Sequence, residues 1–194
     1  MAGDGRVRIL EAAYACVARS GLAKTTVDAT AREAGLSRAT VYRWFPGGKD
    51  ELLREVIAWE EGRFFERLAA AVAHADGLEE VCRGGLTFAH RAIEEHVVLQ
   101  SVLRSEPQLL VPRLNEATNR LQPVVTAWLL PWVEAEHRAG RLRPGVEPAR
   151  AADYVGRLLL QHVNAQGGWD LDDPGSVREL VGILLAGVLR SPPR

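Results

Sequence analysis

The segment TTVDATAREAGLSRATVYRWFPGGK, residues 25–49, constrains the fold more than any other, because helix-start and helix-stop signals alternate within it. Either of its first two threonines caps a short helix, and Gly35 ends that helix, since glycine adopts a positive φ at little cost. Leu36 then fills the turn, and Ser37 caps a second short helix over residues 38–44. The segment therefore predicts two short helices joined by a tight turn.

Two short helices in this arrangement form a helix-turn-helix, whose second helix enters the major groove of DNA. The second helix, RATVYRW, is rich in hydroxyl and guanidinium groups. These groups are the donors that bind phosphate oxygens and base edges. The pattern therefore indicates a DNA-binding unit.

The distribution of charge agrees with this interpretation, although the net charge of −1 does not. Residues 1–54 carry nine basic and six acidic side chains, whereas residues 55–194 carry fifteen and nineteen. The excess of positive charge therefore lies with the two short helices, as phosphate contacts require.

Apolar residues recur at helical spacing along the chain, and no segment alternates as a strand would. We predict an all-α fold of about nine helices. Residues 1–54 form an N-terminal three-helix DNA-binding domain, and residues 55–194 form a C-terminal helical bundle for ligand binding and dimerisation.

Glycine and proline set the expected helix boundaries. Gly21 is expected to end the first helix. Pro107 and Pro112 are expected to bracket a connector, and Pro123 and Pro131 to kink the helix that follows it.

Two features of the sequence indicate the cellular compartment: its cysteines and its lack of long apolar segments. Cys16 and Cys82 lie far apart among helical apolar positions, which predicts buried free thiols. The first residues lack the apolar run of a signal peptide, and no window reaches the roughly 18 apolar residues that a membrane helix needs. We expect a cytoplasmic protein with no membrane partner.

Residues 6–54 resemble the TetR family of bacterial transcriptional regulators. The resemblance lies in RILEAAYACVARSG, TTVDATAREAGLS, RATVYRWF and GGKDELL, where residue types agree at fixed offsets over three helices and the start of a fourth. It implies a ligand-responsive repressor that binds a near-palindromic operator in double-stranded DNA as a dimer.

The resemblance implies DNA contacts from the start of the second helix, from the third helix and from the start of the fourth. The free N–H groups at a helix N-terminus favour phosphate, and arginine reads guanine or clamps phosphate. We expect Arg38 nearer the bases than Arg43. The predicted contacts are Thr26, Ser37, Arg38, Ala39, Thr40, Tyr42, Arg43 and Lys49.

Three of these assignments have a structural alternative. Thr26 serves equally as a pure helix cap. The Tyr42 ring is alternatively packed against Trp44 or Phe45, and Lys49 is alternatively a solvated surface lysine.

The small N-terminal unit needs its own core, for which we predict Val27, Ala31, Val41, Phe45 and Leu52. Thr30 departs from the family, which usually has a branched aliphatic residue there. We expect its hydroxyl to donate to a carbonyl in the preceding turn.

The last two helices, about residues 147–166 and 174–190, are apolar on more than one side, which predicts a homodimer through a four-helix interface. Gly156, Gly182 and Gly187 leave room for close approach. Burial of both helices within one subunit is the alternative.

A ligand pocket is predicted less sharply. Trp128 and Trp132 lie one turn apart on one helix face, and an apolar pocket is the usual site for a small molecule. The predicted lining is Phe88, Leu103, Trp128, Trp132 and Tyr154. Ordinary core packing explains these aromatics equally well. His90, His96 and His162 are candidates to orient a ligand, although a structural or surface role is favoured for each of them.

Other functions find less support. The sequence contains no GxSxG, glycine-rich phosphate loop, HExxH or CxxC, so we predict no catalytic residue, cofactor or metal site. The main alternative is a DNA-binding regulator or activator without a small-molecule effector.

Overall fold

The computed structural model describes residues 2–164 and 167–190. Over these ranges the chain forms nine α-helices and one isolated bridge between Leu142 and Leu189, which confirms the predicted all-α fold. Among the described residues, none of the helices is both long and apolar enough to cross a membrane. The helices are α1 (Ala2–Lys24), α2 (Val27–Glu33), α3 (Arg38–Trp44), α4 (Gly48–Ala71), α5 (Leu78–Glu94), α6 (Val97–Ser105), α7 (Pro107–Arg138), α8 (Pro148–Asn164) and α9 (Pro174–Ala186).

The predicted connector between Pro107 and Pro112 is wrong, because α7 begins at Pro107 and continues as one helix to Arg138. Pro107 suits the first position of a helix, where an N–H has no intrahelical partner. Pro112 removes one backbone hydrogen bond, yet the helix continues through it. Burial of Leu110 beside it offsets part of that cost, a tertiary effect that local sequence rules do not include. The kinks at Pro123 and Pro131 stay predictions.

The chain divides into two compact units. The first contains residues 1–65 and 95–117, and the second contains residues 66–94 and 118–194. Residues 95–117, which include α6 and the start of α7, thus pack with the N-terminal helices, although sequence reasoning placed them in the C-terminal bundle. The functional boundary at residue 54 stays a prediction.

Two apolar clusters stabilise the first unit. One joins α1, α2, α3 and α4 and contains all five predicted core residues; the other joins α1, α4, α6 and α7. Phe45 is 1% exposed and Val41 is fully buried. The first cluster is Ile9, Leu10, Ala13, Val27, Ala31, Val41, Phe45, Leu52 and Val56, and the second is Val17, Leu22, Leu53, Val102 and Leu110.

In the second unit, α5 packs against both α8 and α9. A Cβ at Gly156 would lie 3.1 Å from Val125 Cγ1, so this glycine serves close packing of α8 on α7 within one chain. The carboxylate of Glu136 is buried and accepts from Arg141 Nε at 2.6 Å.

Both cysteines are buried and free, as predicted. Burial raises the pKa of the Cys82 thiol to about 12. Because the thiolate is the reactive form, this cysteine is inert near neutral pH.

Candidate DNA-binding surface

The start of α2 is fixed by Thr26, as the sequence predicted. Its backbone is extended, and its Oγ1 accepts from Ala29 N at 3.1 Å. The preceding residue, Thr25, is buried and its hydroxyl donates to the Gly21 carbonyl at 2.7 Å. Thr26 therefore caps the first turn of α2, and Thr25 ties the residue before this cap back to the end of α1.

The turn between the two short helices is a Schellman motif centred on Gly35. Gly35 N donates to Arg32 O at 3.1 Å, and Leu36 N donates to Ala31 O at 2.9 Å. The φ of Gly35 is +62°, a left-handed value that residues with a Cβ rarely adopt. Leu36 packs on the first apolar cluster and fixes the direction in which the chain leaves α2.

Ser37 starts α3 as predicted. Its Oγ accepts from Thr40 N at 3.1 Å and also shares a 2.9 Å hydrogen bond with Thr40 Oγ1. A capped first turn orients the side chains of a helix too short to be stable alone.

The seven residues of α3 divide into a buried side and an exposed side. Val41 is fully buried, and Phe45 directly after the helix anchors the same side. Tyr42 is 41% exposed, and its ring lies beside the Gly48 backbone. Exposed or half-buried residues make up the outer side, namely Arg38, Ala39, Thr40, Tyr42 and Arg43.

The Arg38 guanidinium is paired within the chain. Its Nε lies 2.5 Å from Asp28 Oδ1, and both side chains are about half exposed or more, at 64% and 49%. Sequence reasoning assigned Arg38 to the bases but did not identify Asp28. The sequence offers one signal for this pairing, which is that Asp28 and Arg38 each lie in the first turn of a helix.

Lys49 is also engaged, since its Nζ donates to the Ala23 carbonyl at 2.7 Å. An ammonium has three donors, so this bond leaves two for a phosphate. The predicted DNA contact of Lys49, like those of the other seven residues, stays a prediction.

A carboxylate that the sequence did not reveal fixes the turn between α1 and α2. Glu106, between α6 and α7, accepts from Leu22 N at 2.6 Å and from Ala23 N at 3.2 Å. A Cβ at Gly21 would lie 2.9 Å from Glu106 Oε1, and Gly21 has φ +82° and ψ 174°. Gly21 thus ends the regular part of α1, as predicted, and its missing side chain admits the carboxylate.

A second contact links α7 to the start of α4, because Arg113 Nη2 lies 3.2 Å from Asp50 Oδ1. His96 caps α6 by accepting from Leu99 N at 3.1 Å, and its Nε2 lies 3.8 Å from Glu60. The imidazole beside Glu60 lowers the pKa of that carboxyl. Residues 95–117 therefore make polar contacts with α1 and α4 in addition to the shared apolar cluster.

The prediction for Thr30 is wrong. The side chain is fully buried, but its hydroxyl has no hydrogen-bond partner among the described residues. The carbonyl at Thr26 already accepts from Thr30 N at 3.0 Å within the helix. The hydroxyl is therefore a buried polar group without compensation.

The five residues predicted to line a ligand pocket fall in different units. Leu103 packs on the second apolar cluster of the first unit. In the second unit, Phe88, Trp128 and Trp132 are half-buried, whereas Tyr154 is 47% exposed with its hydroxyl near Gly187. Their ligand-binding role stays a prediction.

Comparison with family models identifies residues 9–56 with the N-terminal domain of bacterial regulatory proteins, tetR family. The matched residues span α1, α2, α3 and the first part of α4. A comparison with curated proteins gave no match.

Solved structures share the fold over nearly the whole chain. The R. erythropolis transcriptional repressor QsdR from TetR family is 22% identical over 100% of both chains, with a TM-score of 0.63. Salmonella enterica GusR is 21% identical over 95% of each chain, also with a TM-score of 0.63. RolR in complex with resorcinol is 16% identical over 96% of this chain and 88% of its own, with a TM-score of 0.66. At these identities the likeness establishes the fold.

Proposed function

We propose that the chain is a transcriptional repressor that binds a near-palindromic operator as a dimer in the cytoplasm, because residues 9–56 match the model of the bacterial regulatory proteins, tetR family. The observation that carries this proposal is the outer side of α3. Arg38 and Arg43 are exposed there, while Val41 is fully buried on the opposite side. A short helix anchored in this way presents donors to base edges and phosphates.

The test is a selection of duplexes from a random DNA pool with the purified chain, followed by binding titrations at several salt concentrations. We expect enrichment of inverted repeats whose half-sites lie about 34–36 Å apart. Affinity should fall steeply with salt, because binding releases counterions from phosphates. If no duplex sequence is enriched over the starting pool, the proposed function is wrong.

We place the dimer interface on α8 and α9. Ile183 is 57% exposed, and Tyr154 is 47% exposed beside Gly187, which lies one turn after Ile183. A Cβ at Gly182 would meet no atom within 4 Å, so this side of α9 is open. Exposed apolar side chains close together on two packed helices favour an association site.

Substitution of Ile183 tests the interface. Ile183→Glu would place a carboxylate at the centre of the proposed contact, and we expect a monomer by light scattering with weak operator binding. Val97→Glu is the matched control, because Val97 is 79% exposed on α6 in the first unit. An Ile183→Glu protein that stays dimeric would place the interface elsewhere.

For the effector we propose a small apolar molecule bound in the second unit. The half-buried Phe88, Trp128 and Trp132 supply apolar surface, and the buried Nδ1 of His162 lacks a hydrogen-bond partner among the described residues. If these side chains line one pocket, its apolar walls and single polar group would suit a small aromatic ligand. The ligand of RolR, resorcinol, is of this class.

Tryptophan fluorescence with resorcinol and a panel of small phenols provides the screen. Any compound that binds should weaken operator binding, and by linkage the operator should weaken its binding by the same factor. Equal affinity for the compound with and without operator would favour a regulator that lacks this effector response.

A further inference from the structure

The contact between Arg38 and Asp28 joins two rigid elements of the first unit. Asp28 lies in the first turn of α2, where the helix dipole favours a carboxylate. Arg38 is the first residue of α3, which Ser37 caps. The Schellman turn fixes the two helix starts relative to each other, and in this arrangement Arg38 Nε lies 2.5 Å from Asp28 Oδ1.

The geometry of the guanidinium decides what this pairing leaves free. Arginine has one N–H at Nε and two at each terminal nitrogen, in a planar fork. With the Asp28 carboxylate 2.5 Å from Nε, the side edge of the fork lies against an ion-pair partner within the chain. The two terminal nitrogens remain, and together they match the O6 and N7 acceptors of guanine in the major groove.

We propose that Asp28 is a positioning residue that holds Arg38 for end-on recognition of one guanine, and so sets the sequence specificity of the surface. This inference rests on the proposed DNA-binding function. Arg38 is 64% exposed and would otherwise sample many rotamers before binding. Because Asp28 restricts the Arg38 side chain before DNA binds, less conformational entropy is lost on binding.

Asp28 also has a second effect, which weakens the affinity of the protein for DNA of any sequence. Its carboxylate lies beside the surface that faces phosphates, and it repels any duplex regardless of sequence. At a separation of about 8 Å in water this repulsion corresponds to about a twofold change in affinity. Removal of Asp28 should therefore strengthen non-specific binding while it weakens discrimination between bases.

The experiment compares variants of the full chain on three duplexes by fluorescence anisotropy. The first duplex is the one selected by the unmodified protein, the second has the contacted G·C pair in each half-site replaced by A·T, and the third is an unrelated sequence. The discrimination ratio is the Kd on the second duplex divided by the Kd on the first.

For Asp28→Ala we expect the discrimination ratio to fall about 3- to 10-fold, with about twofold tighter binding to the unrelated duplex. For Asp28→Asn we expect the same tighter non-specific binding but a ratio close to that of the unmodified protein. Asparagine has the shape of aspartate and presents an amide oxygen that can accept from the guanidinium, so it should keep Arg38 in position without the charge.

Glu33→Ala is the matched control. Glu33 lies on α2, as Asp28 does, but it pairs at 2.8 Å with Arg19 of α1 and not with a residue of α3. It should change binding to all three duplexes equally. In an Arg38→Ala background, Asp28→Ala should leave the ratio unchanged, since there is then no guanidinium to position. Thermal melting of each variant confirms that it is folded.

The outcomes separate this inference from the function on which it rests. If the unmodified chain selects no duplex, the proposed function fails. If it selects one but Asp28→Ala changes all three affinities in parallel, Asp28 acts by charge alone and the inference is overturned. Discrimination that does not depend on Arg38 overturns it too.

Discussion

The α2–α3 segment and α7 obey different rules, although both are helical. In the α2–α3 segment, Thr26, Gly35 and Ser37 place three of the four helix boundaries through hydrogen bonds to residues three positions away. Helix α7 instead starts at a proline and continues through Pro112 inside its second turn. Capping and turn chemistry govern the first region, whereas burial against neighbouring helices governs the second.

The comparison also shows that the proposed DNA-binding region makes contacts with residues outside it. Its α1–α2 turn is completed by Glu106, from far along the chain, and α4 is linked to Arg113. Local signals therefore define the helices of this region, while residues 95–117 fix the turn that precedes them.

The largest expected effect comes from Phe45→Ala, which removes the side chain that anchors α3. Phe45 is 1% exposed, and truncation of a buried phenylalanine costs about 3–5 kcal/mol of unfolding free energy. Urea unfolding measures the loss of stability, with Tyr42→Ala as the exposed control from the helix that Phe45 follows. An unchanged unfolding midpoint for Phe45→Ala would contradict the assignment of this residue to the core.

Gly21→Ala tests the turn that Glu106 completes. The backbone of Gly21 lies in a region that is nearly exclusive to glycine, and a Cβ there would meet the Glu106 carboxylate. We expect a loss of about 2–3 kcal/mol in unfolding free energy. Gly140→Ala shares a positive φ but its Cβ would meet no neighbour within 4 Å, so it should cost about 1 kcal/mol. Equal losses of unfolding free energy for the two variants would show that the position of the Glu106 carboxylate does not depend on the missing side chain of Gly21.

Glu106→Gln removes the charge but keeps one acceptor oxygen for the N–H groups of Leu22 and Ala23. We expect a loss of about 1–2 kcal/mol in unfolding free energy, because hydrogen bonds to a charged group are the stronger kind. The exposed Glu95→Gln is the control. In the double variant, the losses of unfolding free energy from Gly21→Ala and Glu106→Gln should sum to less than the two single losses, because both changes disturb the contact of the Glu106 carboxylate with the α1–α2 turn. Fully additive losses would contradict this shared contact.

The smallest effects come from two buried threonines and have opposite signs. Thr30→Val replaces an unpaired buried hydroxyl with a methyl group, so we expect about 1 kcal/mol of added stability. Thr25→Val removes the hydrogen bond to Gly21 O, so we expect a similar loss. Thermal unfolding measures both, and destabilisation by Thr30→Val would indicate that its hydroxyl is satisfied in solution.

In the candidate site, as in the fold, features set by neighbouring residues were predictable and contacts between distant residues were not. The caps, the turn and the exposed side of α3 follow from residue types at short spacing, so they were predictable. The pairing of Arg38 with Asp28 was not, because ten positions and a turn separate the residues and no period relates them. The bond from Lys49 to Ala23 O was hidden for the same reason, since 26 positions separate the two residues.

The sequence by itself determined an all-α chain, a helix-turn-helix with its caps, and a core that contains Phe45 and Val41, because each depends on interactions within a few residues or on helical periodicity. Only the tertiary structure decided that residues 95–117 pack with the N-terminal helices and that Glu106 completes the α1–α2 turn. Those contacts depend on which distant surfaces bury the most apolar area together, and no short stretch of sequence contains that information.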